Sequence, residues 1–235
     1  MSDRSPKRTL ARRAGGAILA ALLLLAGWGA YQTFGPPVAL LSAATSHIRD
    51  VDVRSEDSTV IHGEPRTVSH VDLVRSLGDT VRLVLSLPNP RPEGALPVLL
   101  ILGGLEVGEQ TLEFIARPGP HAYAIYQYPY SPEYWYQHAK VTQVPVIREA
   151  ILSVPGQVAT AVQWLRTRPW ADTARMSLLG YSFGAILVPA AHRVTSEVEP
   201  PSLPAVLAYG GADIRTLMDH NLRVRPAWLR SALAH

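Results

Sequence analysis

Between Met176 and Leu187 an apolar run is broken once, by Gly180-Tyr181-Ser182-Phe183-Gly184, and resumes at once. That pattern predicts a strand turning sharply into a helix with a serine on the turn. A serine so placed sits in a strained backbone, so small residues must stand two positions to either side. The turn lifts the hydroxyl above the sheet, where a base can reach it. The backbone N–H of Phe183, at the helix start, then points toward a developing oxyanion. The stretch commits this part of the chain to an α/β arrangement and makes Ser182 a candidate nucleophile.

A second glycine-marked turn ends the run Pro97-Val98-Leu99-Leu100-Ile101-Leu102-Gly103-Gly104-Leu105-Glu106. A continuous apolar strand belongs in a sheet covered on both faces, and glycines at its end let the backbone approach a ligand closely. The spacing of Gly103, Gly104 and Gly108 is not that of a dinucleotide loop, and no Gly-Lys-Ser/Thr follows. Half of an oxyanion hole fits better, with a backbone donor at Leu105 or Gly104.

Around these turns the pattern alternates between strand and helix. Ser58 to Leu87 reads as antiparallel strands with a turn at Leu77-Gly78-Asp79-Thr80. Tyr123-Ala124-Ile125-Tyr126 is a further strand. After it come Tyr128, Tyr130, Tyr134, Trp135 and Tyr136, which either line a substrate cleft or pack a long loop. Val146 to Arg168 carries a helical apolar face, with a kink or split expected at Pro155-Gly156. A polar turn, Ala171 to Arg175, precedes the strand before Ser182. A helix runs from Ser182 to about Arg193, and Pro204 to Gly211 forms the last strand.

The 235 residues, 47% of them hydrophobic, suffice for one sizeable domain. Of 22 basic and 19 acidic groups, Arg4, Lys7, Arg8, Arg12, Arg13 and Asp3 fall within residues 1–30. The remainder holds 17 basic and 18 acidic groups, so the positive charge is a local tail and not a nucleic-acid face. Behind that basic flank, Ala14 to Ala30 is uncharged and rich in Leu and Ala. This predicts a signal or signal-anchor helix, with the rest of the chain attached to a membrane or secreted. The absence of cysteine excludes disulfides, a thiol nucleophile and a thiolate metal site. The histidines lack zinc spacing, and no metal or cofactor is implied.

The succession of strand, glycine pair, strand, long helix, strand, serine turn, helix and strand resembles the α/β-hydrolase superfamily over about residues 55–215. Gly103-Gly104-Leu105-Glu106 looks like the oxyanion loop of its esterase and peptidase branches. The resemblance implies a mostly parallel central sheet with helices on both faces, in three parts: a targeting segment (1–30), a linker (31–54) and the hydrolase-like domain (55–235). It makes Ser182 the nucleophile, Phe183 one oxyanion donor and Leu105 or Gly104 the other.

The superfamily's acid and histidine follow later strands, yet after Gly210 only 25 residues remain. A further strand–helix–strand unit needs about 30, so the domain is expected to be incomplete at its C-terminal end. Asp213 is either an alternative acid or a helix cap. His192 lies about 15 Å along the helix from Ser182, too far to act as base. The expected activity is attack by Ser182 on an ester, thioester or amide of a small molecule or peptide. The alternative is a non-catalytic hydrolase-like protein used for binding or assembly at a membrane.

Overall fold

The structure, a computed structural model, describes residues 22–28, 46–104, 108–129 and 144–210. A seven-stranded sheet occupies most of this, in the order β1-β2-β3-β5-β4-β6-β7. The strands are β1 (Ile48–Ile61), β2 (Glu64–Arg75), β3 (Thr80–Pro88), β4 (Leu96–Leu102), β5 (Ala122–Gln127), β6 (Ala171–Tyr181) and β7 (Ala205–Ala208).

The sheet is mixed, which corrects the expectation of a mostly parallel one. The β1–β2, β2–β3 and β3–β5 ladders are antiparallel, and β4–β5, β4–β6 and β6–β7 are parallel. The reason is chain length between strands. Ile61 pairs with Glu64 across a two-residue turn, His62-Gly63, in which both residues have positive φ (48° and 83°). A turn with that twist can only reverse the chain. β4 to β7 are separated by longer connections, which permit parallel crossovers.

β1 begins at Ile48, inside the stretch read as linker. It is exposed along almost its whole length, so burial left little apolar alternation to detect, and its order comes from backbone pairing with β2. The polar stretch Asp172 to Arg175 lies within β6 as an irregularity: Pro97 pairs with Asp172, but Val98 pairs with Met176. Asp172 Oδ1 accepts the amides of Ala174 and Arg175 there, at 3.0 and 3.3 Å.

Two α-helices, α1 (Val144–Arg166) and α2 (Phe183–Val198), pack against the same face of the sheet. Val154, Val158, Val162 and Leu165 of α1 are fully buried against Leu100, Leu102, Tyr126 and Leu178. Each such side chain contributes roughly 1.5–3 kcal/mol by leaving water. α1 is not split at Pro155, which lies inside it. Every residue from Val154 to Val162 is buried, and this packing holds the helix through a position that local propensity would break. The opposite face carries Val84, Ile101, Tyr123 and Ile125 against Leu112 of a 3-10 helix, Gly108–Phe114. α1 and α2 therefore lie on one face, not one on each.

Residues 22–28 are helical and belong to a separate N-terminal unit. Among the described residues no helix is long and apolar enough to cross a membrane. The rest of the predicted span, Ala14 to Ala30, lies outside them.

Candidate active site

Register brings the site together. Leu102 of β4 pairs with Tyr126 of β5 and with Gly180 of β6, and Tyr181 pairs with Ala208 of β7. The exits of four parallel strands are thus level at one edge of the sheet. Gly103-Gly104, Tyr128 and Ser182 all leave there.

Ser182 stands between β6 and α2 with φ 53° and ψ −119°, and its side chain makes no capping hydrogen bond. A non-glycine residue in this region carries strain of about 1–3 kcal/mol and persists only where its surroundings hold it. Three backbone bonds do so. The Ser182 amide donates to Ala208 O (3.1 Å), Ala185 N to Ser182 O (3.1 Å), and Gly184 N to Gly103 O (3.1 Å). The serine itself is exposed.

The flanking glycines answer to sterics. A Cβ on Gly184 would stand 2.0 Å from Leu102 O and 2.9 Å from Gly103 O. One on Gly180 would stand 2.6 Å from Val188 Cγ2 and 2.7 Å from Gly184 O. The start of α2 is pressed so closely onto the ends of β4 and β6 that only glycine fits at either place.

Gly103 and Gly104 are both buried beside this turn. Gly103 O accepts the Gly184 amide and the Tyr128 hydroxyl (2.9 Å). Phe183 is the first residue of α2, and its ring lies 5.4 Å from that of Tyr128. Leu105, the other expected oxyanion donor, lies outside the described residues, as does Asp213.

No histidine among the described residues is hydrogen-bonded to Ser182. His192 Nε2 lies 2.8 Å from Leu203 O and 3.0 Å from Ser202 Oγ. Leu203 O can only accept, so Nε2 carries its proton toward it and is no base for Ser202 either. His62 and His121 bond to Glu113 O and Pro118 O near the opposite edge of the sheet. His138, His220 and His235 lie outside the described residues. Among the described residues no group of three or more His, Asp or Glu side chains could hold a metal.

Three hydroxyls near the turn carry no signal of their own in the sequence. Tyr128 is one aromatic among several in its segment. Its ring is buried, edge-on to Tyr126 at 5.3 Å, and burial, with Tyr181 nearby, pushes its pKa above the ordinary tyrosine value. On the other face Thr111 Oγ1 donates to Gly108 O (2.6 Å), leaving Tyr181 to donate to Thr111 (3.1 Å). Both residues line a mostly apolar cavity of about 480 Å³, bounded also by Ile101, Phe114, Leu179 and Tyr209.

No protein-family model matches this chain, and no curated protein does. Solved structures do. One is acetyl xylan esterase 1 from a Thermoanaerobacterium species, with TM-score 0.54 and 13% identity, over 82% of this chain and 62% of that one. Another is an acetyl xylan esterase from a Paenibacillus species, with TM-score 0.56 and 13% identity, over 87% and 70%. The chain thus spans less than two thirds of the first esterase. At this identity the likeness is one of fold, the α/β-hydrolase fold these esterases share.

Proposed function

We propose that this chain is a serine hydrolase that cleaves an ester, with thioesters and amides open to the same chemistry. The observation that carries the reading is the positive φ of Ser182 on a strand-to-helix turn, enforced by glycines that nothing larger could replace. The esterase names of the fold neighbours favour an ester over an amide.

In this reading Ser182 Oγ attacks the substrate carbonyl, forming the C–O bond as its proton passes to a histidine base. The tetrahedral oxyanion rests on the N–H groups of Phe183 and of Leu105 or Gly104. Collapse expels the protonated leaving group and leaves an acyl-serine, which water then hydrolyses. Base and acid come from outside the described residues, Asp213 being the candidate acid. The basic flank and apolar stretch of residues 1–30 support a domain that acts on the extracytoplasmic side, membrane-anchored or secreted.

A second reading, a non-catalytic binding or assembly protein, is favoured by one fact: no described histidine reaches Ser182. Treatment of the full chain with a fluorophosphonate probe separates the two. The hydrolase reading expects labelling that disappears in Ser182→Ala. No labelling of the parent protein, or labelling that survives the substitution, overturns it.

A further inference from the structure

We propose that Tyr128 is a positioning residue for the oxyanion site, its hydroxyl pinning the Gly103 carbonyl and so fixing the backbone from which the donors depart. The proposal rests on the reading of Ser182 as nucleophile.

The argument starts from the weakness of a glycine pair. Gly103-Gly104 has no side chain to hold its own conformation, and its peptide could in principle rotate. In a trans peptide the carbonyl of Gly103 and the amide of Gly104 point to opposite sides. Whatever fixes one fixes the other. A flipped peptide would exchange an N–H for a carbonyl oxygen, which repels a developing oxyanion where the amide would stabilise it.

Gly103 O is held by two donors, the amide of Gly184 at 3.1 Å and the hydroxyl of Tyr128 at 2.9 Å. Both lone pairs of the carbonyl are engaged. The Tyr128 ring is itself buried, edge-on to Tyr126 at 5.3 Å and to Phe183 at 5.4 Å. The Tyr126 hydroxyl takes no part in this ring contact, donating instead to Gln157 Oε1 at 2.5 Å, while Gln157 Nε2 donates to Asp79 at 2.8 Å. On its other side Gly103 meets Thr111 Oγ1 and Tyr181 OH, which would lie 2.8 and 3.4 Å from an added Cβ. The turn is clasped from both faces of the sheet. Among the described residues, only Tyr128 and Gly184 grip the atom that sets its orientation. Burial raises the Tyr128 pKa, so the hydroxyl keeps its proton at neutral pH and remains a donor.

The experiment compares full-length wild type, Tyr128→Phe and Tyr126→Phe. Phenylalanine keeps both ring contacts, and Gly103 O keeps the Gly184 amide, so Tyr128→Phe retains the fold. Its fluorophosphonate labelling rate and its kcat on p-nitrophenyl acetate are expected to fall about ten- to a hundredfold with KM unchanged, the scale of a misplaced catalytic group. Tyr126→Phe deletes a buried hydroxyl in the same cluster that does not touch the turn. It melts lower and reacts at the parent rate. Wild-type rates in Tyr128→Phe, or rates in both variants that fall in step with melting temperature, overturn the proposal. A wild type that is not labelled, or a label that survives Ser182→Ala, fails earlier and differently: it removes the nucleophile reading and this proposal with it.

Discussion

The amide of Gly184 donates to the carbonyl of Gly103 across 3.1 Å, tying the first turn of α2 to the end of β4. The approach leaves no room for a side chain. Gly184→Ala would place a Cβ 2.0 Å from Leu102 O, a backbone atom that cannot turn aside. The expected cost is about 3 kcal/mol or more, the upper range of overpacking, with loss of Ser182 labelling. Urea unfolding and probe labelling check both. A Gly184→Ala protein of parent stability would contradict the packing described.

Ser182 bears the opposite tension. Glycine tolerates its backbone angles without strain, at the cost of more freedom in the unfolded chain. Ser182→Gly is therefore expected to abolish labelling yet raise stability by about 1 kcal/mol. Denaturant midpoints of Ser182→Gly and Ser182→Ala decide this. The alanine variant keeps the strain, so equal midpoints would argue against it.

Asp79 links pH to stability. Burial alone would raise its pKa, but hydrogen bonds from Arg75 and Gln157, with the Arg75 charge, outweigh this and hold the carboxyl below its ordinary value. A depressed folded pKa means the contribution is fully present above the unfolded value of about 3.9 and is lost as pH falls through the lower folded value. Arg75 is buried, its Nε 2.8 Å from Asp79 Oδ1. Asp79→Ala removes the carboxylate that accepts from both Arg75 and Gln157, at an expected cost of about 2 kcal/mol, within the range for hydrogen bonds to a charged group. Chemical denaturation at several pH values should show this gap at pH 6 and a smaller one near pH 3. A gap that widens on acidification would reverse the assigned sign.

Arg66 offers a test of stability apart from the site. It is buried with no carboxylate bonded to it among the described residues, donating to Ser86 Oγ (2.6 Å), Ser86 O (2.9 Å), Gly119 O (3.0 Å) and His121 O (2.5 Å). Its guanidinium also lies 5.1 Å over the Tyr123 ring. Lysine cannot span four acceptors, so Arg66→Lys is expected to cost about 3 kcal/mol through unpaired buried groups. Because the cluster lies near the sheet edge opposite Ser182, labelling well below the melting temperature should not change. Slower labelling in the folded variant would show that the two edges communicate.

The serine turn was legible because its constraint is steric and local. Gly180 and Gly184 meet neighbouring atoms closely enough to forbid a side chain, and such a requirement leaves its mark in the sequence. β4 was legible for a similar reason, its continuous apolar run matching burial on both faces. Strand pairing was not, since the direction of the β3–β5 ladder depends on a partner far away in the chain. Nor was the continuity of α1 through Pro155, where packing overrides the residue's own preference. Tyr128 was hidden by its neighbours: in a run of aromatics nothing local distinguishes the hydroxyl that meets Gly103. Of the expected site residues, Ser182, Phe183 and Gly104 fall at one edge of the sheet, while Leu105 and Asp213 lie outside the described residues.

The central place of β4 bears on the order in which the molecule assembles. The β1–β2–β3 meander closes through short turns, whereas β4 must find β5 on one side and β6 on the other across long stretches of chain. Local contacts form fast and distant ones slowly. The bonds that bend Ser182 into its uncommon backbone run to Ala208 and, through Gly184, to Gly103, so they belong to the slow half. In pulse-labelled hydrogen exchange during refolding, the β2–β3 amides are expected to gain protection before those of Ser182 and Gly184, and the reverse order would refute this. The strain at Ser182 is then a late acquisition, absent from partly folded chains, and a newly made chain would present this serine turn only at the end of folding.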